Sequence, residues 1–586
     1  MSLIPIEARI SNDTSLGGGL NSTGGPLHLK DNESSDLQNV DFNKFGSIVK
    51  RNGYSALNTA ALTGSTTSEG LWWYEYNNVG TLTKYAICVN NGNCYNSTES
   101  LGGTWTNITA ATVTAGNHCD FENFLNRAYI TNGTDKPFYW TGTGSTTNLA
   151  ALQANSFTFD VTGITNAPAV GDVYSHTTLT FTIREANLTS GAGTLVMTGT
   201  PTPLASGTLG GLSGTNGDLN ITFVSFAANA DIEKAKFVKQ FNNYLFLADI
   251  TLTTTRHPSR IYWSRIKDTA TWPATNWIEI SKDDGQEIQG IKVLQDRLVI
   301  YKSRAIYNLF FTGDSDIPFV LPGGGKSNST VGCVSPWSIC EVENGHVFLS
   351  TDGIYFYDGN SSYKLSDKIT TTLMGYALTN FSKVVATVYK QKNFVYFAFP
   401  SGSDNDVIVV WNYFLNAWSI YSGIEASSMC TFYQGTATEI PCFADYSGFI
   451  YRMDYGTDDY PLNVQTAVNA YYWTNWRTYD NLISKKGILQ VVIYYLLTAG
   501  TLTFGYSYDF ADSIQYSSNF EMMENPPIWG SVIWGAFTWL GTGGGVMRRD
   551  LTGRGRVVRF YIANSTIGET FRIDGIGGFI KQTSVV

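Results

Sequence analysis

Seven segments of this chain share one strand-first pattern and begin at nearly even intervals, and this periodicity restricts the fold more than any composition figure does. They are "KYAICVNNG" from Lys84, "NRAYITNGTDKPFYW" from Asn126, "NYLFLAD" from Asn243, "DRLVIYKSRAIYNL" from Asp296, "GHVFLSTDGIYFYDG" from Gly345, "NFVYFAF" from Asn393 and "IPCFADYSGFIYRMD" from Ile440. Their starts lie 42, 117, 53, 49, 48 and 47 residues apart. In the copy from Gly345, His346, Phe348 and Ser350 alternate with Val347 and Leu349. Thr351-Asp352-Gly353 then breaks the run, and Ile354 to Tyr357 resume it. Alternation interrupted by a glycine turn is a hairpin signal. A period of about 40 to 50 residues with about four short strands suits propeller blades. Each blade buries its faces against its neighbours, and the closed ring removes most exposed sheet edges. Unrelated hairpins in a large sandwich would not repeat at such regular spacing. The chain therefore reads as all-β, with a propeller of six or seven blades.

The one long interval has a local cause. Residues 155–226 are rich in Thr and Gly and poor in aromatics, and removing them restores the common spacing. "TLTFTIREANL" and "GTLVMTGT" alternate cleanly around a "TSGAG" turn, so the segment reads as a small inserted β-domain. After about residue 460 the repeat stops, and "ISKKGILQVVIYYLL" and "GTLTFGYSYDF" read as strands of another sheet. The expected organisation is an N-terminal arm at 1–55, first blades at 56–154, the insert at 155–226, further blades at 227–460, and a C-terminal β-sandwich or jelly-roll-like module at 461–586. Within the arm, Asp31 is placed to cap a short helical turn at "ESSDLQ". "NVDF" and "GSIVKRNGY" read as strands around a turn at Asn43–Gly46.

Charged residues make up only 15% of the 586 residues and aromatics 14%, with 58 glycines, which suits twisted antiparallel sheets better than long amphipathic helices. A formal charge of −10 argues against a general nucleic-acid binder. The opening "MSLIPIEARI" has neither a basic nor an apolar leader region, so no signal peptide is expected. The seven cysteines form no CxxC pair and read as mostly buried free thiols; Cys88 and Cys94, flanking a turn, are the pair whose spacing allows a bridge.

Sequence motifs for chemistry are weak. "VLPGGGKS", residues 320–327, imitates a phosphate loop, but Val320 stands where the first glycine belongs and "NSTVG" is a poor helix start. "SKDDG", residues 281–285, has the Ser-x-Asp-x-Gly core of an Asp box without its aromatic, Ile288 standing there. Asp283, Asp314, Glu341, Asp404 and Asp406 are candidate carboxylates for a glycosidase, and periodicity does not converge any two of them. His28, His118, His176, His257 and His346 lie far apart without ligand spacing. In His118-Cys119-Asp120 consecutive strand positions point to opposite faces. The expectation is a protein without catalytic residues, metal or cofactor. One charged feature stands out: Arg548, Arg549, Arg554, Arg556 and Arg559 crowd into "RRDLTGRGRVVRF", with Arg554 and Arg556 expected on one face of a strand. Arginine forks suit interfaces, so these five are the candidate docking residues for an acidic partner.

Four stretches resemble a known family. "GGLNSTGGPLHLKDNESSDLQNVDFNKFGSIVKRNGY" is similar to the opening of tail proteins of short-tailed bacteriophages, where L-Q-N-V-x-F and G-S-I-x-K-R-x-G-Y lead into a propeller. "RIYWSRIKDTATWPATNWIEISKDDGQEIQGIKVLQDRLVIYKSRAIYNLFFTG" is similar to their central blades, and "VGCVSPWSICEVENGHVFLSTDGIYFYDG" and "VVWNYFLNAWSIYSG" fit the same pattern. The family is the tail nozzle, or tail tubular protein B, the DNA-stabilising tail hub, and the likeness covers about residues 15–150 and 230–460. It implies a non-enzymatic virion component made in the bacterial cytoplasm. Copies would form a six-fold ring below the head-to-tail adaptor, continue and close the DNA channel until ejection, and support fibres or spikes. Double-stranded DNA would pass without sequence-specific binding, and a wall poor in lysine and arginine would let it slide. The alternative is a propeller that hydrolyses or grips host glycans.

Overall fold

The computed structural model describes the chain except residues 1–8, 14, 63, 65, 79, 102, 150–154, 162–168, 170–171, 177–178, 190–191, 200–207, 215–218, 228–231, 270–271, 274, 315–316, 436, 480–481, 497–499, 523–543 and 585–586. Its described residues form seven four-stranded sheets. Six are continuous in sequence, at residues 68–107, 120–148, 232–279, 288–320, 340–364 and 385–422. The seventh takes three strands from residues 428–453 and its fourth, Tyr54–Ala56, from near the N-terminus, with Tyr54 opposite Met453. The sheets follow one another as propeller blades whose first strands pack around a common axis, with that of the last blade, Ser428–Gln434, against Ser68–Asn78 of the first. Closure through an N-terminal strand ties the two ends of the propeller together, so no blade edge is left open at the seam.

Each of the seven repeated segments supplies the second strand of a blade: Thr81–Asn90, Arg127–Thr131, Tyr244–Leu252, Arg297–Lys302, Gly345–Ser350, Phe394–Pro400 and Thr438–Ala444. These strands lie between two neighbours in their sheet and are covered on both faces, which is why they read as near-continuous apolar runs; Phe394–Pro400 is buried at every position. The opening hairpin is one of them, with Val347 opposite Phe356 and Ser350 opposite Gly353. Between the second and third blades, six strands within Asn155–Ala227 close a separate barrel. The alternating segments form Leu179–Thr189 and Ala192–Gly199, and the turn expected between them at 190–191 lies outside the described residues.

The remaining strands build a sandwich of two six-stranded sheets. One joins Arg9–Asp13, Val40–Phe42 and Ile48–Lys50 to Lys485–Leu496, Gly544–Asp550 and Arg572–Ser584. The other joins Gly19–Leu20 and Glu33–Gln38 to Ala470–Thr474, Gly500–Tyr508, Tyr516–Met522 and Val558–Asn564. The expected extended arm at 1–55 is therefore corrected: its strands are integral to the C-terminal module and complete the propeller as well. The helical turn expected at "ESSDLQ" is also corrected, since Glu33–Gln38 is a strand in register with Ala470–Thr474. Glu33, Ser34 and Leu37 are buried there, and pairing with Ala470–Thr474 wins over the local cap because a single helical turn is costly to nucleate on its own. The turn at Asn43–Gly46 forms as expected, the Asn43 carboxamide accepting from the amides of Phe45 and Ser47. One apolar core runs from the sandwich (Phe42, Tyr472, Ile493, Phe560) into the fifth and sixth blades (Leu349, Phe397, Trp418), welding sandwich to propeller.

Candidate functional site

Three places merit comparison: the arginine segment, the joint between sandwich and propeller, and the axial channel.

The arginines do not act as one strand face. Arg548 and Arg549 lie on Gly544–Asp550, opposite Val492 and Val491, on the outermost strand of its sheet, and both are exposed. Arg554 and Arg556 sit in the loop before Val558–Asn564 rather than on a strand, because the Gly555 backbone turns aside to bond Lys486 in both directions. That corrects the expected shared strand face. Arg559 is largely withdrawn from solvent. Its guanidinium lies 4.0 Å from the Trp473 ring and 4.5 Å from the Trp476 ring and donates to the Ala511 carbonyl at 2.9 Å. Burial lowers its pKa, against the pull of Asp36 and Asp512. Cation–π packing of this kind is structural, which leaves Arg548, Arg549, Arg554 and Arg556 as exposed cations.

The joint is made by "VKRNGY", residues 49–54. Arg51 is 2% exposed and grips Asp459 through two bonds of 2.8 and 2.6 Å. It also donates to the Asn39 carboxamide at 2.8 Å and to the Ser422 carbonyl at 3.1 Å. Lys50 is fully buried and donates to the Asn564 carboxamide at 2.7 Å and the Glu569 carbonyl at 2.8 Å. Burial pulls its amine down to about 8, against the opposing pull of Asp458 and Glu569. Asp41, buried and bonded by the Tyr421 hydroxyl, is pushed up to about 6 by burial. Gly53 packs so tightly that an added Cβ would stand 1.8 Å from the Asp458 carbonyl oxygen. Arg51 and Asp41 tie the N-terminal strands to the sixth blade, through the Ser422 carbonyl and the Tyr421 hydroxyl, whereas Lys50 binds the two sheets of the sandwich to each other.

The channel is built from first strands, which periodicity aligned only through their neighbours. Trp72, Asp120, Lys292, Glu341, Thr387 and Cys430, one from each of six first strands, line a narrow cavity of about 230 Å³. Within the wall Lys239 pairs with Glu122. Burial raises the Glu122 pKa; burial alone would lower that of Lys239, but the Glu122, Asp120 and Glu341 carboxylates outweigh it and raise it. His118 also faces this cavity, 5.4 Å from the Trp337 ring, and burial holds it down at about 4, so it is neutral at physiological pH. Toward the C-terminal ends of the first strands the channel opens into a mouth of about 980 Å³ lined by Trp72, Trp73, Glu75, Glu99, Glu341 and Tyr433, among others.

Of the five candidate glycosidase carboxylates, only Glu341 lines either cavity, while His118, Cys119 and Asp120, expected on opposite faces, all line the narrow one. Glu75, inside the first strand Ser68–Asn78, and Glu99, just past Asn93–Thr98, carry no motif that marks them. The sequence signal available was the doubled tryptophan on a first strand. "SKDDG" is a structural turn in which Asp284, rather than Asp283, holds the buried Lys302 ammonium with two 2.9 Å contacts. After "PGGGKS" no helix follows in residues 327–335, so no helix N-terminus is offered to a phosphate. Cys88 faces Tyr95 and Cys94 faces Val89 across their hairpin. The two thiols therefore project from opposite faces into separate cores, which corrects the possible bridge. No group of three or more metal-ligating side chains is gathered among the described residues.

Neither the family models nor the curated proteins compared with the chain give a match. Among solved structures it is similar to YCF48 bound to a D1 peptide, with 11% identity and a TM-score of 0.34, covering 71% of this chain and 97% of that one. It is similar to PorZ of the Porphyromonas gingivalis type-IX secretion system at 11% identity and 0.34, covering 79% and 46%. The WD40 β-propeller domain of Doa1 follows at 9% identity and 0.31, covering 68% and 96%. At such scores the propeller assignment stands on the strand topology itself.

Proposed function

We propose that this chain is a non-enzymatic structural subunit of a bacteriophage tail, a nozzle protein. It assembles as a six-fold ring below the head-to-tail adaptor, continues and closes the DNA channel until ejection, and supports fibres or spikes. The observation that carries the reading is the position of the nozzle-like motif. "LQNVDF" and "GSIVKRNGY" supply the end of Glu33–Gln38, all of Val40–Phe42 and Ile48–Lys50, and the first residue of Tyr54–Ala56, the strands that close the propeller and join it to the sandwich. Lys50, Arg51, Gly53 and Tyr54 each have a role there that few other residues could fill. A ring that holds a confined genome needs subunits whose two modules do not rock, and a buried ion pair set in a shared core supplies that stiffness. The exposed Arg548, Arg549, Arg554 and Arg556 supply a surface for an acidic partner within the assembly.

The test is the mass of the purified protein in solution, alone and with its adaptor. A ring of about six copies, or a monomer that becomes one on the adaptor, supports the nozzle. A chain that stays monomeric on the adaptor overturns it.

A further inference from the structure

The channel mouth carries an arrangement that an assembly role does not require. Its polar groups sort into those already engaged and those left over. The Trp73 indole N–H donates to Glu75 at 2.8 Å, and Lys84 lies 3.5 Å from the same carboxylate. Lys84 also bonds the Gly435 carbonyl, while Glu99 accepts from the Gly435 amide. The Trp72 indole N–H donates to Asn123 at 2.7 Å, and its ring stacks on Phe121 with an interplanar angle of 7°, so the ring is held in one orientation. Two charges remain, the Glu341 carboxylate and the Lys390 ammonium. Both are exposed and lack a hydrogen bond or ion pair among the described residues. Beside them stand Tyr433, 41% exposed, and Leu82, 56% exposed.

Glu99 keeps its charge as well, since the Gly435 amide it accepts from is neutral, so with Glu75 paired to Lys84 the mouth is one net negative. A polyanion finds no complement there, whereas a neutral polyhydroxyl compound finds an acceptor at Glu341, a donor at Lys390 and fixed aromatic surface for its C–H face. We propose that the mouth binds a neutral oligosaccharide. Its volume lies within the range of ligand pockets that bury a molecule of that size. Charge-assisted hydrogen bonds at Glu341 and Lys390 would orient the hydroxyls. The proposal is independent of ring assembly, because a nozzle subunit and a monomeric propeller would both present this mouth.

The experiment titrates the full chain with maltotriose, cellotriose, raffinose and tri-N-acetylchitotriose, followed by calorimetry and ligand-observed NMR, with sialyllactose and trilysine as charged controls. At least one neutral sugar binds saturably. Glu341→Gln, Lys390→Gln and Tyr433→Ser each weaken that binding about tenfold, the loss expected for one charge-assisted contact or its stacking equivalent. All three side chains are solvent-exposed, and an unchanged thermal midpoint shows that the fold survives. Binding of the charged controls only, no saturable binding of any neutral sugar, or affinity unchanged in the variants each overturns the proposal. The solution mass is read separately, so failure here leaves the ring reading standing.

Discussion

Replacing Arg51 by Met tests the joint most directly. The substitution keeps the apolar stem and removes a guanidinium that is almost wholly enclosed, with side-chain exposures of 2% for Arg51 and 7% for Asp459. It strands the Asp459 carboxylate and takes a donor from the Ser422 carbonyl, while the Asn39 carboxamide oxygen keeps the Ser422 amide. Breaking a buried ion pair from one side costs about 3–5 kcal/mol, mostly because the remaining charge is uncompensated. Burial already raises the Asp459 pKa, with Arg51 holding it back, so without Arg51 it climbs further. The folded variant then binds a proton that the unfolded chain releases, and its deficit grows as pH rises past the ordinary carboxylate range. Arg51→Met should therefore lose more stability at pH 8 than at pH 5. Arg51→Met combined with Asp459→Leu should recover most of the loss, short of about 1 kcal/mol for the hydrogen bond lost at the Ser422 carbonyl. Urea unfolding followed by tryptophan fluorescence, with proteolysis between residues 50 and 60 as a local probe, reads both quantities. A single-variant cost below about 1 kcal/mol, or a double variant no better than the single, would refute the argument that charge burial governs this joint.

Gly53→Ala should fail to close the propeller, since its Cβ would collide with the Asp458 backbone rather than with a movable side chain; soluble yield and the protease sensitivity of the Tyr54–Ala56 strand are the readouts. Lys50 is deprotonated near pH 8 when folded and keeps its proton to about 10.5 when unfolded, so the wild type should gain stability over Lys50→Met as pH rises from 8 to 10.5. Urea midpoints of the pair at pH 7.5 and 9.5 measure this, and a constant difference would count against it. Deleting residues 155–226 should leave the urea midpoint of the propeller unchanged, because the barrel at Asn155–Ala227 makes its own closed sheet and loop closure costs little; a lower midpoint would mean that the insert supports its neighbouring blades.

The repeat was legible because the second strand of every blade is covered on both sides, and that environment imposes the same apolar run each time. The first strands face the axis with one side and vary with whatever the channel holds, so their period is blurred. That is why Trp72, Glu75 and Tyr433 were not singled out as a set. The arm was misjudged for a different reason. Glu33–Gln38 and Ile48–Lys50 pair with strands more than 400 residues later in the chain, and no local pattern records a partner so distant. "KRNGY" nevertheless carried the information in another form. A lysine and an arginine beside apolar strand residues look like surface charges until Asp459, Asn564 and Glu569 are brought to them. Buried charges are costly unless paired on every side, so such residues persist where geometry rather than stability is at stake. In this chain that geometry is the seating of the closing strand and the sixth blade against the sandwich, through Arg51, Asp41 and the core they share.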